Sequence, residues 1–518
     1  MTPDPPAWVR DAIFYQVFPD RFAASARVRK PGPLEPWDDP PTHHGFKGGD
    51  LLGIAERLPY LADLGVTALY LNPIFASASN HRYHTYDYFA VDPLLGGNEA
   101  LRELIDTAHA RGMRLILDGV FNHTGRGFWP FHHVLETGAA SPYRNWFHFD
   151  EGRLAAGRPV VAYPEAIPPG VALDEPPFAD RREEPGDRSL HRLGYRAWWD
   201  LPALPKLNTD EPAVREYVFG VAEHWLRFGI DGWRLDVPEE IGDPAFWAEF
   251  RRRCRAVDPE AYLVGEIWHP AADWVAGDRF DALMNYPLAE AILSFVAAGR
   301  LDERMLAFHH EYGANVRSID GPAFAGLLGE IMSRYRPAVT LSQLSLLDSH
   351  DTPRFVTLAS GDRVSYRLAV LLQATLPGAP CVYYGDEVGI EGGPDPDCRR
   401  AFPSDQAGWD ADLLAFVRAA FALRHARPEL RRGAFRILGA DGGAVAFLRS
   451  AEDGPAALVA LNAGDGVARL AVQASELVRR PFVPAVLPGW AAPDVAPGHG
   501  ASIGLSLPPR SGAVLLAS

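Results

Sequence analysis

The sequence predicts a (β/α)₈ TIM barrel that carries an inserted domain after its third strand and a C-terminal antiparallel β-sandwich. Three observations lead there. Eight short apolar runs each end in polar residues, helical segments separate most of them, and the rhythm breaks once after the third run and stops near Gly433. Eight β/α units close into a parallel barrel, with an active site where the C-terminal strand ends gather. A doubly wound open sheet is the alternative, but no glycine-rich phosphate loop follows the first strand.

Ile13-Phe14-Tyr15-Gln16-Val17 reads as a buried strand running into the polar Asp20-Arg21. Asp50 then caps a helix whose apolar positions are Leu51, Ile54, Leu58, Leu61 and Leu64, and Gly65 is its left-handed stop. Thr67 to Pro73 is the second strand. A helix from Asn98 to Gly112 leads to the third strand, Arg114 to Asp118, which runs out at Asn122-His123. The alternation resumes with a helix from Val214 to Phe228 and the strand Gly232 to Asp236. Next come a helix holding Phe246, Trp247, Phe250 and Cys254, then the strand Tyr262 to Glu266. Ala282 to Asn285, Leu344 to Asp348 and Cys381 to Glu387 complete the eight.

The interruption is too long for a plain loop and is rich in Pro, Gly, His and Trp, so it reads as a small domain. Barrel residues are then 1–122 and 207–430, the insert 123–206, and the sandwich 431–518. In that last part short apolar runs such as Ala444 to Leu448 and Ala457 to Leu461 are split by turn residues.

Composition narrows the function. With 50 Lys and Arg against 66 Asp and Glu, the net charge is −16 and no basic run exists. That excludes a nucleic-acid partner and an anionic membrane surface, and it suits a neutral substrate. Cys254, Cys381 and Cys398 are odd in number and scattered, so neither disulfides nor a zinc site are expected. Met1 to Arg10 lacks an apolar leader core, and no run reaches membrane-spanning length, which predicts a cytoplasmic protein with no membrane partner. The oligomeric state is not legible. Trp and Tyr, 13 and 17 of them, offer faces for sugar rings and equally fill cores.

Chemistry concentrates at Asp231-Gly232-Trp233-Arg234-Leu235-Asp236-Val237. Apolar side chains alternate there with Arg234 and Asp236, so a strand sets a cation and an anion side by side on one face. A carboxylate beside a guanidinium stays ionised at neutral pH and can act as a nucleophile; a structural ion pair is the alternative. Other strand ends supply partners. Asp118, Glu266 and Asp351 are expected at the same mouth, with His123 and His350. Two such carboxylates suit retaining glycoside hydrolysis, one attacking the anomeric carbon and the other protonating the leaving oxygen, at a separation of about 5 to 5.5 Å. The same residue types can hold metals, but no His-x-His follows the first strand and His43-His44 sits in a loop. No metal is expected at these carboxylates.

Asp118-Gly-Val-Phe-Asn122-His123, Gly232-Trp-Arg234-Leu-Asp236-Val, Gly265-Glu266-Ile-Trp268 and Leu347-Asp-Ser-His350-Asp351 resemble, in this order, the four signature regions of the α-amylase family, glycoside hydrolase family 13. Gly65 to Phe75, Tyr83-His84-Thr-Tyr86-Asp87-Tyr88 and Pro380 to Glu387 match its accessory motifs. The resemblance implies Asp236 as nucleophile, Glu266 as general acid/base, and Asp351 as the third carboxylate gripping sugar hydroxyls. It implies that His84, His123 and His350 hydrogen-bond the sugar, that Tyr86 stacks on it, and that Arg234 keeps Asp236 charged. Asp118 and Asn122 are supports, and Asn122 ligates a structural calcium in parts of the family. Trp268, beside the acid/base, is a candidate stacking platform. The Trp198-Trp199 pair is either another platform or domain core.

Leu204-Pro205-Lys206-Leu207-Asn208, Phe280 to Pro287 and Pro396 to Arg400 are similar to the neopullulanase, cyclomaltodextrinase and maltogenic amylase subgroup. That implies an α-glucan oligosaccharide substrate, α-1,4 cleavage with α-1,6 cleavage and glycosyl transfer in some members, and no required cofactor. Three departures stand out. The first strand begins near Ala12, without the subgroup's N-terminal sandwich. The loop from Asp20 to Lys30 lacks the calcium ligands found there in relatives. Pro238-Glu239-Glu240 replaces the usual Ala-Asn after the nucleophile, near the acceptor subsites. An exo-acting α-glucosidase, a transglycosylase or isomerase, and a non-catalytic carbohydrate-binding barrel remain the alternatives.

Overall fold

The computed structural model describes residues 3–164, 188–451, 454–473, 482–490, 493–497 and 502–517. Eight parallel strands form the central sheet: β1 Phe14–Val17, β2 Ala68–Leu71, β3 Arg114–Gly119, β4 Gly232–Leu235, β5 Tyr262–Gly265, β6 Ala282–Leu283, β7 Leu344–Leu346 and β8 Ala379–Tyr383. Their order is β6-β5-β4-β3-β2-β1-β8-β7, and a parallel bridge between Met284 and Leu344 closes the ring. The predicted barrel is thus present, with every strand near its expected place.

Period-two alternation sorts the side chains. Phe14, Tyr70, Ile116, Val264, Met284 and Leu346 pack together inside the barrel, while Tyr15, Leu69, Leu117, Trp233 and Leu263 pack outward against the helices. The next inward positions toward the C-terminal ends are polar: Gln16, Asp118 and Arg234 are all buried. The apolar interior therefore ends under a polar floor. Asp50 caps the helix Leu51–Leu64 by accepting from the Gly53 N–H at 2.7 Å, and Gly65 ends it with φ 94°.

β4 is shorter than the sequence alternation suggests. Val237 adopts φ 34° and ψ 54°, a left-handed conformation that a β-branched residue rarely takes, so the strand stops at Leu235 and the chain turns into Pro238–Glu240.

A hairpin of Phe75–Ser77 with Thr85–Val91 follows β2, and its tip carries residues 78–84 over the barrel mouth. The insert grows from the end of β3. His123 pairs with Lys206 and Phe147 with Leu207 in isolated bridges, and Phe131 packs edge-on to Phe147 and Tyr195. Residues 165–187 of the expected insert lie outside the described residues.

At the C-terminus a five-stranded antiparallel sheet, Ala434–Asp441, Ala444–Ser450, Ala456–Asn462, Ser511–Ala517 and Phe482–Ala485, meets a three-stranded one built of Ala468–Gln473, Ser502–Leu507 and Asp494–Pro497. Alternation again decides the packing. Ala446, Leu448, Leu458 and Leu515 meet Leu470, Val472 and Leu505 of the smaller sheet, whereas Val445, Phe447, Val459 and Val514 join the barrel's helical core. No helix among the described residues is long and apolar enough to cross a membrane.

Candidate active site

Arg234 sits at the end of β4 with its guanidinium fully buried, and three carboxylates converge on it. Nη1 donates to Asp118 Oδ1 at 2.8 Å and to Asp236 Oδ1 at 2.9 Å, and Nη2 lies 2.9 Å from Glu266 Oε2. Glu266 also accepts from the Val237 N–H at 3.0 Å and from Trp268 Nε1 at 3.3 Å. The left-handed turn at Val237 is what aims that amide at Glu266. Asp236 Oδ2 is buried and has no hydrogen-bond partner, so one oxygen of this carboxylate is anchored and the other is free to react.

Burial pushes the Asp236 carboxyl well above the usual carboxylate range, and Glu266, Asp118 and Asp351 push the same way against Arg234. The expectation that Arg234 keeps Asp236 charged captures only the opposing share: one guanidinium serves a crowd of carboxylates in a water-poor site. Burial likewise raises Asp118, again opposed by Arg234. Asp118 Oδ2 accepts from Tyr70 at 2.8 Å and from Tyr83 at 2.9 Å.

The loop after β7 brings the third carboxylate. Asp351 Oδ2 lies 3.1 Å from His350 Nε2, and Arg399 Nη2 lies 3.4 Å from Asp351 Oδ1. Burial and the charge of Glu266 push Asp351 up to about 7, with Arg399 opposing. Gln16 Nε2 stands 2.9 Å from His350 Nδ1. An amide N–H₂ only donates, so Nδ1 accepts and the ring proton sits on Nε2. That proton faces the Tyr83 hydroxyl at 2.5 Å, and the Tyr83 ring lies nearly parallel to the imidazole, 5.4 Å between centroids.

Asp118, Arg234, Asp236, Glu266, His350 and Asp351 are thus brought together as the sequence expects. Trp268 stands beside Glu266 with its ring stacked on Tyr286 at 3.5 Å and on His309 at 4.7 Å. Asn122 and His123 stand at the end of β3, each with one buried side-chain atom, Oδ1 and Nε2, that has no partner. His84 and Tyr86 touch none of the carboxylates. His84 packs edge-on to His81 at 4.8 Å, and burial lowers it to about 4. Tyr86 lies so close to the backbone that a Cβ on Gly125 or Gly127 would fall 2.5 or 2.6 Å from its ring.

Of the motif from Tyr83 to Tyr88, the ring that reaches the carboxylates is Tyr83, which sequence reasoning missed. Tyr70 and Arg399 were missed too. Parity with Ala68 along β2 marks Tyr70 as inward; Arg399 lies in an irregular segment that carries no periodic signal. Among the described residues no group of three or more His, Cys, Asp or Glu side chains is placed to hold a metal ion. In the loop between Asp20 and Lys30, the Lys30 ammonium lies 3.1 Å from Asp50 Oδ2 and also contacts the Leu94 carbonyl.

Past Asp236, Glu240 pairs with Lys206 of the insert at 2.6 Å, and Glu239 lies 3.0 Å from His269 of the loop after β5. The two acidic residues therefore bridge three loops at the mouth.

A family profile described as the alpha-amylase catalytic domain matches residues 16–412. A cyclomaltodextrinase from a Bacillus species is 41% identical over 462 residues, which is 88% of this chain and 74% of that one. The crystal structure of Ttha1563 from Thermus thermophilus is 45% identical with a TM-score of 0.86, covering 99% of this chain and 100% of its own. The debranching enzyme of Nostoc punctiforme is 41% identical with a TM-score of 0.84, covering 100% of both chains.

Proposed function

Because the chain belongs to the α-amylase family of glycoside hydrolases, we propose that it hydrolyses α-glucosidic bonds of short glucans with retention of configuration, α-1,4 bonds first and α-1,6 bonds second. One observation carries this reading: a single guanidinium holds Asp236 through Oδ1 and lies against Glu266 Oε2, while Asp236 Oδ2 remains unpartnered. Asp236 Oδ2 attacks the anomeric carbon as Glu266 protonates the departing glycosidic oxygen, forming a glycosyl ester. Water, giving its proton to Glu266, then displaces Asp236 from the same carbon. Asp351, His350 and His123 grip the hydroxyls of the sugar under attack, and Tyr83 supports them.

Resemblance to a cyclomaltodextrinase supports α-1,4 cleavage. Likeness to a debranching enzyme over the full length of both chains supports the α-1,6 activity. A cytoplasmic location belongs to the same proposal and is tested by cell fractionation.

Product analysis on maltotriose, β-cyclodextrin and pullulan decides the linkage. Panose from pullulan marks α-1,4 cleavage and maltotriose marks α-1,6 cleavage; glucose released singly from maltooligosaccharides favours an α-glucosidase. Asp236→Asn and Glu266→Gln are each expected to lower kcat on the order of a thousandfold or more with the fold intact. Wild-type turnover in either variant refutes the mechanism.

A further inference from the structure

His123 enters the site from the end of β3 with a buried Nε2 that has no protein partner. Its Nδ1 lies 3.4 Å from Asn122 Nδ2. With that amide donating, Nδ1 accepts and the proton sits on Nε2. Burial holds the ring down at about 3, helped by His84 and Lys206 and opposed by the Tyr83 backbone, so it is neutral in ordinary buffers. Such a ring is a donor, and its value to a ligand depends on the plane in which the N–H is presented.

The backbone of His123 is well tied. It forms a bridge with Lys206, and Tyr88 donates to its carbonyl at 2.8 Å. Backbone ties leave the ring free to rotate about its side-chain torsions. One face of the ring meets Trp198, at 4.7 Å between centroids and with planes 6° apart. Trp199 lies on Trp198 in turn, at 4.2 Å and 16°. Three parallel rings thus run outward from the site, and Trp198 is spent on its two neighbours instead of on a sugar. That decides between the platform and packing readings of this residue.

The turn that makes the stack is strained. Trp199 has φ 55° and Asp200 φ 57°, two consecutive left-handed residues, neither of them glycine. Such conformations persist only where the surroundings hold them, and they gather at functional sites. Here the insert's helix Arg188–Leu193 does the holding. The Ser189 N–H donates to Asp200 Oδ1 at 2.8 Å, Arg192 Nη2 donates to the Asp200 carbonyl at 2.9 Å, and Ser189 Oγ accepts from the Ala197 N–H at 3.0 Å.

We propose that Trp198 is a positioning residue of the active site, acting through His123 by fixing the plane in which Nε2–H meets a hydroxyl of the bound sugar. The strained turn of the insert keeps Trp198 pressed on that ring. This rests on the reading that His123 binds the substrate, and the experiment separates the two.

Steady-state kinetics are measured on whichever of maltotriose, β-cyclodextrin and pullulan is cleaved fastest. The proteins are wild type, His123→Ala, Trp198→Ala, Trp198→Leu, Trp198→Phe and the His123→Ala/Trp198→Ala double variant, each with its melting temperature. Trp198→Ala and Trp198→Leu should lower kcat/KM about tenfold or more, chiefly through kcat, and Trp198→Phe, which keeps a flat face, should stay within about threefold of wild type. The double variant should be no slower than His123→Ala alone. A loss of stability without a positioning role gives additive effects instead. Additive losses in the double variant, or Trp198→Leu at wild-type rates, overturn the proposal. Should Trp198→Ala fail to fold, Trp198→Phe and Trp198→Leu carry the comparison. His123→Ala at wild-type rates overturns it as well, and because Asp236→Asn tests the catalytic reading independently, the two failures are told apart.

Discussion

The rings of Tyr83 and His350 lie nearly parallel, with planes 6° apart, and the Tyr83 hydroxyl stands 2.5 Å from Nε2. The same hydroxyl donates to Asp118 Oδ2 at 2.9 Å. One phenol therefore ties the carboxylates around Arg234 to the loop that carries Asp351. Tyr83→Phe keeps the ring and removes the tie. A hydrogen bond to a charged partner contributes about 1.5–3 kcal/mol, so kcat/KM is expected to fall about tenfold to a hundredfold while the circular dichroism spectrum is unchanged. An unaltered kcat/KM would show that the hydroxyl does not organise the site.

Asp351, held up at about 7, makes stability depend on pH. A carboxyl raised above its unfolded value of about 3.9 keeps a proton in the folded protein that the unfolded chain releases. The folded state binds more protons across that window, so stability is greatest at its acid end and falls as pH rises from about 4 to about 7. The Asp351 side chain is 32% exposed, which lets solvent screen part of the effect. Asp351→Asn removes the titration. Its melting temperature should gain on wild type between about pH 4.5 and pH 8; a difference equal at both ends refutes the linkage.

Gly232 opens β4 where β5 runs close alongside. A Cβ there would stand 2.1 Å from the Tyr262 carbonyl oxygen and 2.8 Å from its nitrogen, and backbone cannot step aside as a side chain can. Gly232→Ala is expected to destabilise by about 3 kcal/mol or more, because relief must separate two barrel strands beside Asp236. Chemical denaturation reads this directly. A change under about 1 kcal/mol would mean that the strands yield easily.

Lys30 places a built-in cation against Asp50, the residue that caps the helix Leu51–Leu64. Its side chain is 12% exposed and that of Asp50 is fully buried. Lys30→Met leaves the buried carboxylate without its counter-charge and is expected to lower stability by about 1–3 kcal/mol. A chelator should leave the melting temperature of the wild type unchanged. Thermal scans with and without EDTA check both statements, and a chelator-induced drop in the wild type would point to a bound metal instead.

Much of this was legible in the chain because strands have period two. Phe14 and Gln16, Ile116 and Asp118, and Arg234 behind Gly232 follow one parity, so apolar residues fill the interior and polar ones surface at its end. Asp236, Glu266 and Asp351 were found by the same logic together with the motifs. Tyr83 escaped it. It sits on a hairpin tip, where no period tells which of Tyr83, His84 and Tyr86 turns toward the carboxylates. The upward push on the Asp236 carboxyl escaped as well, because it depends on how many carboxylates gather around Arg234, a number that exists only once the strand ends meet. Val237 breaks the alternation altogether, since its left-handed turn answers to Glu266 and not to the strand.

The five-stranded C-terminal sheet is covered on both sides, by the smaller sheet through Leu448 and Leu458 and by barrel helices through Phe447 and Val459. It is less an appended module than an outer stave of the barrel. Arg449 rivets the seam by donating to the Thr375 carbonyl. A protease nick between the two parts would therefore release no fragment, and the cut halves would stay associated and melt as one calorimetric unit.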